Sequence, residues 1–138
     1  MPEPDPDELV RAAAFRSELR RFLHRTDEVV AEVGLTPQRY DLLLQLKAAR
    51  GGHSTVTELG KRLYLRQTAV TELVKRAEEA GLIRRRRSEL DRRVFLLELT
   101  EDGDQRVRRV FDTLRRDRVA FADAFEQLGL HFRASTQD

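Results

Sequence analysis

The sequence predicts a mainly α fold with a small β-hairpin wing (α+β): a winged helix-turn-helix with long N- and C-terminal helices suited to dimerisation. Three observations predict it. Apolar residues recur at helical spacing through both ends of the 138-residue chain. Two short helical segments meet at a tight turn, Leu65 and Arg66. Directly after the second, "GLIRRRRSELDRRVFLLELT" gathers six arginines within ten positions and then becomes an alternating, strand-like run.

The first helix is expected over 6–33, with Leu9, Ala13, Phe15, Leu19, Phe22, Leu23, Val29, Val30 and Val33 recurring at a period near 3.6, and Gly34 ending it. Thr36 followed by Pro37 marks a restart, because a capping hydroxyl precedes a proline whose φ already suits a helix. This second helix is expected over 37–49, with Tyr40, Leu42, Leu43 and Leu46 turned inward and Gly51 and Gly52 breaking it. Thr57 is expected to cap a short helix, "ELGKRLY". A longer one over 67–80 carries Val70, Leu73, Val74 and Ala77 on one side and ends at Gly81. Strands follow at 82–87 and 94–100 around a loop near 88–92, with Phe95, Leu97 and Leu99 alternating against Val94, Leu96 and Glu98. Thr100 then caps one last helix, 101–128, and "LHFRASTQD" is expected to fray.

This order divides the chain into an acidic leader and dimerisation helix (1–34), a winged helix-turn-helix lobe (35–100) and a C-terminal dimerisation helix with its tail (101–138). Hydrophobic residues at 40% suffice for a core, and 36% charged residues imply a large polar surface. Net charge is only +2, but its placement is uneven. Residues 58–93 carry eleven Lys/Arg against six Asp/Glu, a local +5, while the flanking segments are slightly negative. A run of like charge is either a solvated surface or one shaped for an anionic partner.

The neighbouring helix pair favours the anionic partner. The second helix of such a pair can enter a DNA major groove while the hairpin reaches the adjacent minor groove or backbone. Arg84, Arg85, Arg86, Arg87, Arg92 and Arg93 would then face phosphates and release counterions. The solvent-facing positions of the second helix are Gln67, Thr68, Ala69, Thr71, Glu72, Lys75 and Arg76, with Arg66 just before it. Gln67 can pair with adenine, and the chain contains no asparagine to share that role. Arg66 can reach guanine or phosphate, and Ala69 or a threonine methyl suits a thymine methyl. Lys75 and Arg76 suit phosphates. Glu72 would either accept from cytosine or restrain a neighbouring arginine, and the sequence leaves both open.

The stretch Asp91-x-Arg93-x-x-x-Leu97-x-Leu99-Thr100, followed by Gly103, resembles the wing signature of the MarR family, bacterial regulators named for multiple antibiotic resistance. "TELGKRLYLRQTAVTELVKRAEEAGLI" resembles that family's helix-turn-helix. The resemblance runs from Leu35 to about Arg109 and implies a homodimeric winged helix with dimerising terminal helices. It also implies that Arg93 enters the minor groove and that Asp91 orients it. A narrow minor groove concentrates negative potential, which draws in a guanidinium. The chain departs from the family in ending within about ten residues of Leu128, where relatives have a further helix, and this puts the usual dimer interface in question.

Apolar stripes on both terminal helices exceed what one small lobe needs, so a second copy of the chain is an expected partner. A twofold dimer makes the DNA site a palindrome, with half-sites roughly 34 Å apart. Many relatives release DNA on binding a small aromatic or acidic molecule, and by that analogy Arg20, His24, Tyr40 and Phe111 are candidate effector contacts. The competing class is a winged-helix protein-interaction module whose basic hairpin binds an acidic protein. Non-specific binding to DNA or RNA is a third.

Enzymatic constellations are missing: there is no cysteine, no G-x-S-x-G elbow and no phosphate loop, so no catalytic role and no cofactor are expected. Without cysteine this polypeptide also has no disulfide, no zinc–thiolate site and no thiol sensor. His24, His53 and His131 are spaced too widely for a paired metal motif, so no metal is expected. No apolar run approaches the ~18 residues of a membrane span. "MPEPDPDELV" is the opposite of a signal peptide, so the expected location is the cytoplasm.

Overall fold

In a computed structural model, which describes residues 1–135, the predicted mainly α architecture with a small sheet is present. Among the described residues there are six α-helices, α1 (Pro6–Glu32), α2 (Pro37–Ala48), α3 (Val56–Leu63), α4 (Gln67–Glu79), α5 (Glu101–Thr113) and α6 (Arg115–Ser135). They are interrupted by strands β1 (His53–Ser54), β2 (Ile83–Arg87) and β3 (Phe95–Leu99), with one 3-10 turn at Arg50–Gly52. No helix of the described residues is long and apolar enough to cross a membrane.

The chain forms two compact units. One comprises residues 30–111 and the other residues 1–29 with those from Asp112 onward. In the first, Leu42, Leu43 and Leu46 of α2, Leu59 of α3, Val70, Val74 and Ala77 of α4, Leu82, Leu97, and Val107 and Val110 of α5 are fully buried. Each such leucine contributes roughly 1.5–3 kcal/mol by leaving water. Thr36 caps α2 as expected, its hydroxyl accepting from the Arg39 amide at 3.2 Å. Gly81 ends α4 at φ +74, a conformation in which any side chain is strained.

The sheet has the order β1-β3-β2, with both pairs antiparallel. β1 was not expected. Its two residues are too few to show a period, and pairing with β3 (His53 opposite Glu98, Ser54 opposite Leu97) creates it. The strand also moves the α3 cap. Thr55, not Thr57, closes the helix start, accepting from the Glu58 amide at 3.2 Å, since the chain leaves β1 and turns at once. Within β3 only Leu97 is fully buried, and Phe95 is exposed.

The single C-terminal helix expected over 101–128 is two helices, with the buried Leu114 in a turn between them. A helix therefore does follow α5. No glycine or proline marks the break, but the two apolar sets serve different cores: Val107 and Val110 the first unit, Phe121, Phe125 and Phe132 the second. In that second unit Phe22 stacks on Phe121 (centroids 5.1 Å apart), and Phe15 meets Phe125 at 5.5 Å and Phe132 at 6.2 Å. The expected fraying at 130–138 is replaced by helix as far as Ser135, and residues 136–138 lie outside the described residues. Leu9, Val10, Leu23, Val119, Phe125 and Leu130 in this unit are nonetheless at least half exposed.

Candidate nucleic-acid interface

α4 is held by one face. Val70, Val74 and Ala77 recur at i, i+4 and i+7 and are fully buried where the helix packs on α2 and α3. Gly60 permits the close turn: a Cβ there would stand 3.2 Å from the Leu65 carbonyl oxygen and 3.5 Å from Val70 Cγ2. The opposite face is open, and Arg66, Gln67, Thr68, Ala69, Thr71, Glu72, Lys75 and Arg76 are all exposed. Thr71 Oγ1 donates to the Gln67 carbonyl at 2.8 Å. Of the two roles open to Glu72, the geometry displays restraint, since its Oε1 accepts from Arg76 Nε at 3.2 Å.

The hairpin projects from the same unit. At its tip Asp91 organises Arg93. Oδ1 accepts from the Arg93 amide at 3.0 Å and from Nε at 3.1 Å, and Oδ2 accepts from Nη2 at 3.3 Å. The Arg93 guanidinium beside it, and then the Arg93 backbone N–H, hold the Asp91 carboxyl below its ordinary range. Arg93 itself keeps 90% of its side chain in solvent. A long, flexible cation is thus pinned at its root and presented outward.

Strand alternation divides the arginine run between two faces. Arg84 and Arg86 share one face, and both donate to Glu98 on β3, at 2.8 and 3.1 Å. These contacts, the Arg84 hydrogen bond foremost, lower the Glu98 pKa. On the other face Arg85 Nε donates to Glu78 of α4 at 2.6 Å. Arg87 donates to the Arg92 carbonyl at 2.7 Å and lies 4.8 Å over the Phe95 ring. Sequence reasoning missed Glu78 and Glu98. The hairpin register, with Arg84 opposite Glu98, was the signal for the second. The first meets Arg85 only through packing between α4 and β2.

The four candidate effector residues are disposed differently. Arg20 and His24 are exposed on α1, where His24 Nε2 lies 3.2 Å from Glu28 Oε1. Tyr40 is buried in the α2 core, and Phe111 on α5 is 42% exposed. Among the described residues no three His, Asp or Glu side chains converge on a metal-sized site.

A profile described as the MarR family matches residues 33–94, the segment that holds both the helix pair and the first part of the hairpin. Along the whole chain, a MarR-family protein from Bacillus stearothermophilus superposes with a TM-score of 0.74, is 25% identical, and is matched over 98% of this chain and 95% of its own. Residues 33–94 carry the sequence pattern of the MarR family, and the chain as a whole shares the fold of a MarR-family protein. Two Bacillus subtilis proteins are similar over part of the chain. The organic hydroperoxide resistance transcriptional regulator is 51% identical over 49 residues, 36% of this chain and 33% of the relative. The HTH-type transcriptional repressor MdtR is 36% identical over 77 residues, 56% of this chain and 48% of the relative. The matches thus span about a third to a half of these relatives' length. Arg93, the open face of α4 and the Arg85–Glu78 ion pair all lie within the matched segment.

Proposed function

We propose that this chain is a sequence-specific, double-stranded-DNA-binding transcriptional regulator that acts as a homodimer, most simply as a repressor occupying a palindromic operator. The observation that carries the reading is Arg93, fixed at its base by Asp91 and 90% exposed at the tip of the hairpin that follows a helix with one fully open polar face. In this reading residues 66–76 read the major groove and the wing enters the minor groove, the division of labour usual for such motifs. Residues 35–100 form the gripping lobe, while 1–34 and 101–138 join two copies. The six half-exposed apolar side chains of the helical unit supply the surface such a dimer would bury.

Release by a small aromatic or acidic effector is the regulatory half of the proposal, with Arg20, His24, Tyr40 and Phe111 the first residues to substitute. One of the Bacillus subtilis relatives is named for organic hydroperoxide resistance, yet this polypeptide has no cysteine, so oxidation of its own thiols is not its signal.

Binding to duplexes recovered from a random library tests the reading. Specific binding persists under excess random competitor and shows a log–log salt slope of about −0.9 per phosphate contacted. A protein-interaction module would show no preference among sequences. Sedimentation of the free protein as a monomer at micromolar concentration would remove the dimer from the proposal.

A further inference from the structure

Two groups of cations in the winged-helix unit contrast. Lys47, Arg76, Arg84, Arg85, Arg86, Arg93, Arg106 and Arg108 are each ion-paired to a carboxylate. Lys61 and Arg62 in the last turn of α3, and Arg66 before α4, are exposed and make no side-chain ion pair or hydrogen bond to any described residue. No Asp or Glu stands between Glu58 and Glu72, so this segment is the less neutralised of the two basic regions. Much of the positive charge conspicuous in the sequence is thus paired within the unit, whereas Lys61, Arg62 and Arg66 keep theirs unpaired, as Lys75 and Arg92 do.

Between those cations sits Tyr64. It caps α3 in the left-handed conformation (φ 55, ψ 39), the one non-glycine residue at positive φ among those described. Glycine is the usual occupant of such a position, since a Cβ there is crowded by the backbone. The tyrosine adopts the strained conformation while its side chain packs on little, with 95% of the residue exposed. The turn is held rigid beneath it, as the amides of Tyr64 and Leu65 both donate to the Gly60 carbonyl. Residues kept strained and exposed on a rigid support concentrate where a partner binds. This turn leads directly into the N-terminal end of α4, the end that meets base edges first in a helix-turn-helix.

We infer that Lys61, Arg62 and Tyr64, beside Arg66 of the surface already described, form a second DNA-contacting surface that grips the sugar–phosphate backbone flanking the groove entered by α4. The inference rests on the DNA-binding reading above. The ammonium and guanidinium groups take phosphate oxygens, and the tyrosine ring lies against deoxyribose with its hydroxyl donating to a phosphate. Lys61, Arg62 and Tyr64 carry no base information. The surface sets the depth and register of α4, while the arginine run acts mainly as internal bracing for the wing.

The test uses the full chain and a duplex recovered from a random library. Lys61→Gln with Arg62→Gln should reduce the magnitude of the salt slope by about 1.8, two phosphate contacts, and weaken all sequences alike. Tyr64→Gly relieves the backbone, so its thermal midpoint should hold or rise while DNA affinity falls about three- to tenfold. Opposite movements of stability and affinity are what a purely structural tyrosine would not produce. If the double variant keeps the wild-type slope and Tyr64→Gly binds as wild type, while Arg93→Ala is impaired, this surface is overturned and the wing reading stands. If wild-type protein selects no duplex, the DNA-binding reading fails and takes this inference with it.

Discussion

Arg85 Nε, midway along β2, lies 2.6 Å from Oε1 of Glu78 in the last turn of α4, so an ion pair braces the hairpin against α4. Both side chains are partly exposed, 36% and 29%, which keeps the contribution of the pair to folding under about 1 kcal/mol. Its larger effect is on geometry, because in the proposed complex wing and helix meet adjacent grooves at a set angle. Glu78→Gln should therefore leave the melting temperature nearly unchanged and weaken DNA binding by about three- to tenfold. Wild-type affinity in this variant would mean the wing holds its angle without the brace.

Arg93→Ala should weaken DNA binding by about 1–3 kcal/mol with the fold intact. Asp91→Ala should cost less, since the guanidinium remains but is no longer held before contact. Titrations of both variants against one duplex give the order. An Asp91→Ala loss equal to or above that of Arg93→Ala would show that the carboxylate does more than orient its neighbour.

Gln67→Ala should change which sequences are selected more than how tightly the best one binds. Glutamine reads adenine through both its amide groups, and alanine leaves that position unread. Parallel selections with wild type and variant measure this. A uniform loss across sequences would place Gln67 on the backbone instead.

The Arg84–Glu98–Arg86 cluster makes a prediction about pH. Glu98 ionises more readily in the folded chain than its ordinary value of 4.5, the Arg84 hydrogen bond being the main cause. A depressed carboxylate contributes stability that is complete above the unfolded value and is lost as pH falls through the folded one. The gap in melting temperature between wild type and Glu98→Gln should be present near neutrality and close as pH drops below about 4.5. A gap that widens on acidification would contradict the pairing.

Gly103 sits buried in the first turn of α5 against a carbonyl. A Cβ there would stand 2.1 Å from the Leu82 oxygen, itself the acceptor for the Thr100 amide. Gly103→Ala must push α5 off the strand end, and a cost of roughly 1–3 kcal/mol is expected, read as a drop of several degrees in melting temperature. An unchanged midpoint would mean the helix start shifts freely.

Much of this molecule was legible before any coordinates. Thr36-Pro37, Gly81 and Thr100 mark helix ends because their chemistry acts within a few residues: a hydroxyl that caps, a ring that fixes φ, a missing Cβ. The open face of α4 follows from the period of Val70, Val74 and Ala77. Asp91 and Arg93 are two residues apart, so their pairing too is a local property. The cap at Thr55 escaped detection because the two-residue β1 that precedes it exists only by pairing with β3. The break at Leu114 escaped because no local signal interrupts a helical period whose two halves serve different cores.

The sequence by itself determined the element order, the helix-turn-helix, the hairpin and the residues at its tip, since each depends on backbone preferences and periodicities acting over one or two turns. Only the tertiary structure decided how the positive charge is spent. Whether an arginine is braced by Glu78 or Glu98, or stands free like Lys61, Arg62 and Arg66, depends on which carboxylates the packing brings within about 3 Å, and separation along the chain does not encode that distance.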